Sequence, residues 1–214
     1  MRFEEFAEIN PMVDLEKGYR YPYVGMADVT PGKRYVSANR MRVYKRSGAR
    51  FRDDDILFAR ITPSLEHGKI AQYKAEREEI GFGSTEFFVF RHREGVSDSS
   101  YLYYLALTDI VRKPAELSMT GASGRQRADL NVVKSIEIDP PPPPTQRKIA
   151  AILSAYDDLI RTTPAASPSW RRWRRPSTAS GSSISASPAT SRWRWWIRSL
   201  GRFRRGGKLN NWEM

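Results

Sequence analysis

The chain has 214 residues, a formal net charge of +12 and no cysteine, which excludes a disulfide framework and a thiolate zinc site. No apolar run approaches membrane-spanning length, and the first residues lack the basic and then apolar order of a signal peptide. We therefore expect a cytoplasmic protein.

The positive charge is concentrated after residue 160. Residues 161–214 contain twelve Lys and Arg residues and one acidic residue, which leaves a net charge of +1 for residues 1–160. All six tryptophans also lie after residue 160. The two parts differ so strongly in composition that they are interpreted separately.

Residues 1–139 are predicted to form one mixed α/β domain. One helix is predicted at 98–112, ending before Pro114 because proline lacks the N–H of a helix interior. Short apolar or alternating runs, separated by glycine and proline turns such as Gly81-Phe82-Gly83, predict strands. The predicted strands are 21–26, 41–44, 55–60, 69–73, 86–90 and 135–139.

A basic window from Lys33 to Arg52 contains eight Lys and Arg residues and no acid. On a strand, Arg40 and Arg42 would share one face, while Met41 and Val43 would face the core. Such a face could neutralise DNA phosphates. The alternative is a solvated strand face balanced by the acidic run that follows it. The candidate DNA-binding residues of the window are Arg40, Arg42, Lys45 and Arg46.

A glycine-rich basic loop, Thr120–Arg127, follows the predicted helix. Its glycines permit close backbone approach, and its side chains supply donors for phosphates or base edges. The alternative is a structural turn whose polar groups bond the domain's own backbone. The candidates in this loop are Ser123, Arg125, Gln126 and Arg127. Weaker candidates elsewhere are Arg60, Thr62, Lys69, Ser84 and Thr85.

Five prolines, residues 140–144, predict a stiff polyproline spacer that holds the next segment away from the domain. Apolar residues then recur every three or four positions, which predicts one apolar helix face over 145–162. Thr145 is the predicted N-cap, and Pro164 is predicted to end the helix. The face either packs on the chain's own domain or binds a partner. It comprises Ile149, Ile152, Leu153, Tyr156, Leu159 and Ile160.

Residues 163–214 form a tail rich in Trp, Arg, Ser and Pro. We predict that it is disordered, because it lacks the aliphatic residues needed to bury a core. We interpret it as a frameshifted segment, since this composition is typical of GC-rich DNA read out of frame. The alternatives are a cloning-derived segment and a genuine tail that binds nucleic acid by charge and stacking.

The order of these segments resembles the specificity subunit of type I restriction-modification enzymes. The resemblance rests on residues 8–11, 55–63, 83–87, 120–127 and 146–150. It implies a sequence-specific DNA-binding subunit with one target recognition domain, half-length or truncated, in a bacterial or archaeal cytoplasm. It also implies partners, namely double-stranded DNA, methyltransferase subunits, a restriction subunit reached through the complex, and self-association through 145–162.

The resemblance implies that this chain is not an enzyme, because S-adenosylmethionine, ATP and Mg²⁺ act on other subunits of such complexes. The residues themselves point the same way. His67 and His92 stand alone, so no metal site is expected. The Asp139-Pro140-Pro141-Pro142 run lacks the aromatic that stacks a flipped base in amino-methyltransferases. The alternatives are a fragment of a DNA methyltransferase or nuclease, and a nonspecific arginine-rich nucleic-acid binder.

Overall fold

The computed structural model describes residues 1–76, 80–122 and 124–173, with only the backbone described for 161–173. The chain divides into two units, Met1–Ala165 and Ala166–Met214. The tail was predicted to be disordered from residue 163, but its residues 163–173 lie in a helix. Residues 174–214 lie outside the described residues. The frameshift interpretation stays a hypothesis.

The described elements comprise one short helix, nine successive strands and then four helices, which confirms the predicted mixed α/β class. In chain order they are α1 (Phe3–Phe6), β1 (Ala7–Ile9), β2 (Arg20–Val24), β3 (Tyr35–Val36), β4 (Met41–Val43), β5 (Ala49–Arg52), β6 (Ile56–Ala59), β7 (Ile70–Tyr73), β8 (Ile80–Gly83), β9 (Phe87–His92), α2 (Ser99–Leu107), α3 (Asp109–Leu117), α4 (Leu130–Ser135) and α5 (Pro143–Trp173).

Among the described residues, the strands form two sheets. One has the order β1-β9-β6-β7-β3, and the other has the order β4-β2-β8-β5. Most neighbouring strands are antiparallel, but β3 runs parallel to β7 and β2 runs parallel to β8. The second sheet carries the basic window at both edges, on β4 and β5.

The five-stranded sheet is the middle of three layers. Ile56 and Phe58 of β6 pack in a buried cluster with Leu102 of α2. Leu57, between them in sequence, packs in a second buried cluster with Val24 of the four-stranded sheet. Successive side chains of a strand point to opposite faces, so the helices cover one face of the five-stranded sheet and the four-stranded sheet covers the other.

The predicted helix at 98–112 is instead two helices that meet at Thr108. The Thr108 backbone is extended, and its hydroxyl donates a 2.7 Å hydrogen bond to the Leu105 carbonyl. A threonine side chain that bonds a preceding carbonyl competes with the helical hydrogen bonds, so α2 ends there. The helix was predicted to end before Pro114, but Pro114 lies inside α3, which continues to Leu117.

Two further segments differ from prediction. Residues 135–139 were predicted as a strand, but Ser135 ends α4, and Glu137 forms only an isolated bridge with Arg2. The Gly81-Phe82-Gly83 run was predicted as a turn but lies in β8. A Cβ at Gly83 would clash with the Val24 carbonyl oxygen, so this glycine permits close strand pairing.

The long helix α5 starts within the prolines and passes the position where it was predicted to end. Pro143 and Pro144 occupy its first positions, where a missing backbone N–H removes no helical hydrogen bond. Its backbone extends to Trp173, so Pro164 does not end it and Thr145 is not its N-cap. No described helix is long and apolar enough to cross a membrane.

Polar side chains hold α5 on the domain. The prediction that the prolines would keep this helix away from the domain is therefore wrong. Gln146 and Ala150 are buried, and Ser154 and Asp157 on the same face bond the OH of Tyr104, at 3.3 and 2.7 Å. These four helix positions follow the three-to-four spacing of one helix face. Asp157 therefore faces the domain.

A buried arginine completes the contact between α5 and the sheet. The Arg34 guanidinium donates to Gln72 Oε1 at 2.9 Å, to Ser100 Oγ at 2.5 Å and to Ser154 Oγ at 2.5 Å. It also lies 5.1 Å from the ring centroid of Tyr104. Arg34 therefore links β7, α2 and α5, and this part of the basic window is internal.

Candidate nucleic-acid interface

The fold brings three of the predicted segments together at the end of β6. The backbone N–H of Arg60 donates to the Glu86 carbonyl at 3.0 Å, and that of Thr62 donates to the Gln126 carbonyl at 3.0 Å. Ile61 forms an isolated bridge with Arg127. Candidates that are far apart in sequence therefore share one surface region, here called the loop cluster: Arg60, Thr62, Ser84, Thr85, Gln126 and Arg127.

Several members of the loop cluster bond the domain itself. Arg127 forms a two-pronged ion pair with Glu86, with nitrogen–oxygen distances of 2.6 and 2.9 Å. The hydroxyl of Thr62 accepts a 3.0 Å hydrogen bond from the Gln126 backbone N–H. The hydroxyl of Ser84 accepts from the Glu86 N–H at 3.2 Å. The hydrogen bonds of these groups match a structural turn bonded to its own domain better than a surface that is free to bind DNA.

The Arg127 guanidinium affects the charge state of its partner. Its hydrogen bonds lower the pKa of Glu86 below the usual value, which keeps the carboxylate ionised and the pair intact near neutral pH. The pair joins the end of the loop to the β8–β9 connection. Within the loop, Arg125 is exposed. Ser123 lies outside the described residues.

A second group of candidates surrounds Tyr23 in β2. The guanidinium carbon of Arg42 lies 4.1 Å from the centroid of the Tyr23 ring, and that of Arg40 lies 5.3 Å from it. Arg40, just before β4, and Arg42, within it, therefore lie on the same side, as predicted, and we call Arg40, Arg42 and Tyr23 the arginine face. Arg40 also forms a 2.9 Å ion pair with Asp28.

The other face of β4 differs from the prediction. Met41 and Val43 were expected to face the core, but they are 40% and 46% exposed. The reason is that β4 is an edge strand of the four-stranded sheet and pairs only with β2. Lys45 and Arg46 follow β4 and are exposed. Lys69 is less accessible, and its ammonium donates to the Met26 carbonyl at 2.8 Å.

The acidic run after the basic window does not balance the arginine face. Asp55 is buried and accepts two hydrogen bonds from Arg91, at 2.8 and 2.7 Å. Burial raises the pKa of Asp55, and the hydrogen bonds from Arg91 oppose that rise. Asp53 and Asp54 both pair with Lys74. Asp55 also accepts a 2.8 Å hydrogen bond from the backbone N–H of Arg52, within the window. The acidic run therefore contacts the end of the window and leaves Arg40 and Arg42 unbalanced.

The apolar face of α5 is exposed. Five of its six predicted members expose between 36% and 68% of their surface, and the sixth, Ile149, is half-buried. The exposed members are Ile152, Leu153, Tyr156, Leu159 and Ile160. The helix thus turns its polar face to its own domain and its apolar face outward, the reverse of an ordinary surface helix. An exposed apolar stripe of this kind is typical of a partner-binding surface.

Two residues that organise these surfaces, Tyr23 and Gln146, were not predicted from the sequence. Tyr23 supports both arginines because β2 pairs with β4, and that pairing brings together residues far apart in the chain. Gln146 is buried and anchors α5, although glutamine is usually a surface residue. From sequence, Gln146 stands out only as part of the 146–150 segment that carries the family resemblance. Among the described residues, no three His, Cys, Asp or Glu side chains cluster as a metal site would require.

Comparisons with known proteins give a consistent result. A family model described as "Type I restriction modification DNA specificity domain" matches residues 4–166. The type I restriction enzyme EcoAI specificity subunit of Escherichia coli is 27% identical over 161 residues, which cover 72% of this chain and 27% of that protein. The EcoEI specificity subunit of the same organism is 28% identical over 161 residues, covering 70% of this chain and 26% of that protein.

A solved structure shares the fold. The crystal structure of the HsdS subunit from Thermoanaerobacter tengcongensis superposes with a TM-score of 0.60 at 18% identity, covering 72% of this chain and 40% of that chain. The matched region thus spans about a quarter of the length of the two curated relatives and less than half of the solved chain.

Proposed function

The chain belongs to the type I restriction-modification DNA specificity family, and from this membership we propose that it is a DNA-sequence-recognition subunit. The family predicted from the sequence is thereby confirmed. In the proposed role the domain binds double-stranded DNA and directs methyltransferase subunits to a target site. A restriction subunit is reached through the same complex. The chain itself is proposed to be non-catalytic.

The observation that best supports DNA binding is the arginine face. The Arg42 guanidinium carbon lies 4.1 Å from the Tyr23 ring centroid, and Arg42 is exposed on an edge strand. Of the nearby acids, Asp28 pairs with Arg40, whereas the acidic run after the window pairs with Lys74 and Arg91. A guanidinium that is already ordered on an aromatic ring loses less conformational freedom on binding DNA than a mobile one does. Its N–H donors remain available for a phosphate or a guanine. The candidate residues for this role are Arg40, Arg42, Lys45 and Arg46.

The loop cluster supports the same role from the neighbouring strands. The Ser84 N–H donates to the Val24 carbonyl at 3.1 Å, which joins the β8–β9 connection to the end of β2, next to Tyr23. Thr85 of the loop cluster and the neighbouring Arg125 are exposed, and no hydrogen bond to the domain engages either side chain among the contacts described above. We propose that these residues contact DNA, while Thr62, Ser84, Gln126 and Arg127 hold the loop in position. Lys69 has a similar positioning role through the hydrogen bond from its ammonium to the Met26 carbonyl.

The exposed stripe of α5 is the proposed protein-binding surface. Docking by Gln146 fixes the helix on the domain, so the stripe is presented at a defined orientation. We propose that it binds a methyltransferase subunit or a second copy of this chain, with self-association centred on 145–162. The cofactors of such a complex, S-adenosylmethionine, ATP and Mg²⁺, would act on its other subunits. The expected location is the bacterial or archaeal cytoplasm.

A selection from a pool of random-sequence duplexes tests the proposal. The full chain, alone and with its methyltransferase subunit, should enrich one short sequence. A variant ending at Trp173 should keep that preference, because the proposed reading surface lies in Met1–Ala165. If the truncated variant loses all binding, the nonspecific arginine-rich alternative is favoured. Turnover by the isolated chain with S-adenosylmethionine or Mg²⁺ would favour the alternative of an enzyme fragment.

A further inference from the structure

The four-stranded sheet has a second basic edge, which the arginine face does not include. Its strand order is β4-β2-β8-β5, so β4 and β5 are its two edge strands. The arginine face lies at β4 and β2, whereas Arg50 and Arg52 lie on β5 at the opposite edge. Three strand spacings separate the two edges, which corresponds to about 14 Å.

The packing of Phe51 shows which way the β5 arginines point. Phe51 lies between them in sequence and is fully buried in the cluster that contains Leu57 of the five-stranded sheet. Its ring centroid lies 4.6 Å from that of Tyr73, which also belongs to the five-stranded sheet. Because successive side chains of a strand point to opposite faces, Arg50 and Arg52 point away from the five-stranded sheet. We call that side of the four-stranded sheet the outer face.

The arginine face lies on the same outer face. Val24 is buried between the two sheets, so its neighbour Tyr23 points outward. The Tyr23 ring lies 5.2 Å from the ring of Phe82 in β8, and Phe82 is directly opposite Arg50 in the pairing of β8 with β5. Residues that are opposite each other in antiparallel strands share one face of the sheet. The outward residues of the two middle strands carry no charge: Tyr21, Tyr23, Ile80 and Phe82.

Arg52 supplies the available cation at the second edge. The residue is exposed, and its guanidinium forms no hydrogen bond or ion pair with another described residue. Arg50 differs, because its Nη1 donates to the Val13 carbonyl at 2.9 Å. Burial raises the pKa of Asp55, and the charge of Arg52 is among the effects that oppose this rise. That carboxylate is already paired with Arg91, so Arg52 keeps its donors for a ligand.

We propose that the outer face lies across a groove of the DNA duplex, with Arg42 and Arg52 contacting phosphates of opposite strands. The proposal rests on the proposed DNA-binding function and adds how the two strands are placed on the domain. The separation of the edges, about 14 Å, is close to the width of the major groove, about 12 Å. Exposed guanidinium groups at both edges complement two phosphate backbones, and the uncharged middle strands repel neither.

The test uses the full chain and a duplex that carries the sequence enriched in the selection. Single methylphosphonates remove the charge of one phosphate at a time along each strand, and fluorescence anisotropy measures the affinity over a range of salt concentrations. Arg42→Gln removes the cation of the first edge, and Arg52→Gln removes that of the second. Arg52→Lys keeps the charge at the second edge. Arg2→Gln is the matched control, since Arg2 is an exposed arginine outside the four-stranded sheet.

If the edges contact opposite strands, Arg52→Gln loses sensitivity to methylphosphonates on one strand and Arg42→Gln loses it on the other. Each also reduces the slope of log affinity against log salt by about 0.9, whereas Arg52→Lys and Arg2→Gln keep the wild-type slope.

Three results would overturn the proposal while the proposed function stands. The first is loss of sensitivity on the same strand in both glutamine variants. The second is a wild-type slope and wild-type sensitivity in Arg52→Gln. The third is an equal loss of slope in Arg52→Lys, which would trace the effect to something other than phosphate charge. If the wild-type chain binds no duplex, the proposed function fails together with this proposal.

Discussion

The backbone N–H of Asp98 donates a 2.9 Å hydrogen bond to the side-chain oxygen of Gln146. Asp98 is the N-cap of α2, and its own carboxylate accepts from the Tyr101 N–H at 2.9 Å. The start of α2 is therefore tied directly to the first turns of α5. The Gln146 amide nitrogen completes the contact by donating to the carbonyls of Val96 and Pro141.

The first prediction concerns this anchor. Gln146→Leu keeps the size of the side chain but leaves the Asp98 N–H and two carbonyls without their partner. Because unsatisfied buried groups are costly, we expect the free energy of unfolding to fall by about 2–4 kcal/mol. Urea denaturation measures the change, and Lys148→Leu on the exposed side of the same helix is the control. Equal stability of the two variants would mean that the anchor contributes nothing to holding α5.

Strands that are buried on both faces were predicted more accurately from the sequence than the elements around them. β6, β7 and β9 lie close to their predicted ranges, because strands covered on both sides have nearly continuous apolar runs. β8 was missed because its glycines are typical of turns. Their actual role is to permit close contact with β2 and β5, and that pairing involves residues far away in the chain.

The candidate site was predictable in composition but not in geometry. The spacing of Arg40 and Arg42 placed them on one face, yet nothing local indicated Tyr23 as their support. Likewise, the apolar stripe of α5 followed from its periodicity, whereas its docking through polar side chains did not. The burial of Arg34, within the basic window, was not predictable because its partners Gln72 and Ser154 lie 38 and 120 residues away.

The second prediction concerns pH. Arg127 lowers the pKa of Glu86 in the folded chain. A lowered folded-state pKa means that the pair stabilises the fold above the unfolded-state pKa, and that this contribution is lost as the pH falls through the folded-state value. The melting-temperature difference between wild type and Glu86→Gln should therefore shrink as the pH is lowered from about 6 to about 3. A constant difference over this range would show that the ion pair adds no pH-dependent stability.

The third prediction separates the contributions of the two arginines of the arginine face. Arg42→Ala should reduce the salt slope of duplex binding by about 0.9, the effect expected for one phosphate contact. Arg40→Ala should reduce it less, because its charge is already partly offset by Asp28. The double variant then approaches, without exceeding, a loss of about two phosphates. Anisotropy titrations over a salt series measure the slopes, and an unchanged slope in Arg42→Ala would exclude this face from the DNA interface.

The last prediction concerns the exposed face of α5. Ile152 and Leu159 are 61% and 60% exposed, so replacing both with Gln should change the free energy of unfolding by no more than about 0.5 kcal/mol for each residue. Association should respond much more strongly, because apolar side chains in the seam between helices supply most of its binding energy. The described stripe covers only about two heptads, a length that is marginal for a coiled coil.

We therefore expect the wild-type chain alone to be monomeric or only weakly dimeric in sedimentation velocity. The double variant, Ile152→Gln with Leu159→Gln, should lose both that weak association and binding to the methyltransferase subunit. Arg147→Gln, on the same helix but outside the stripe, is the matched control and should keep both. A tight dimer that the double variant leaves intact would place the assembly surface elsewhere on the chain. A loss of stability in the double variant would instead mean that the stripe packs against its own domain in solution.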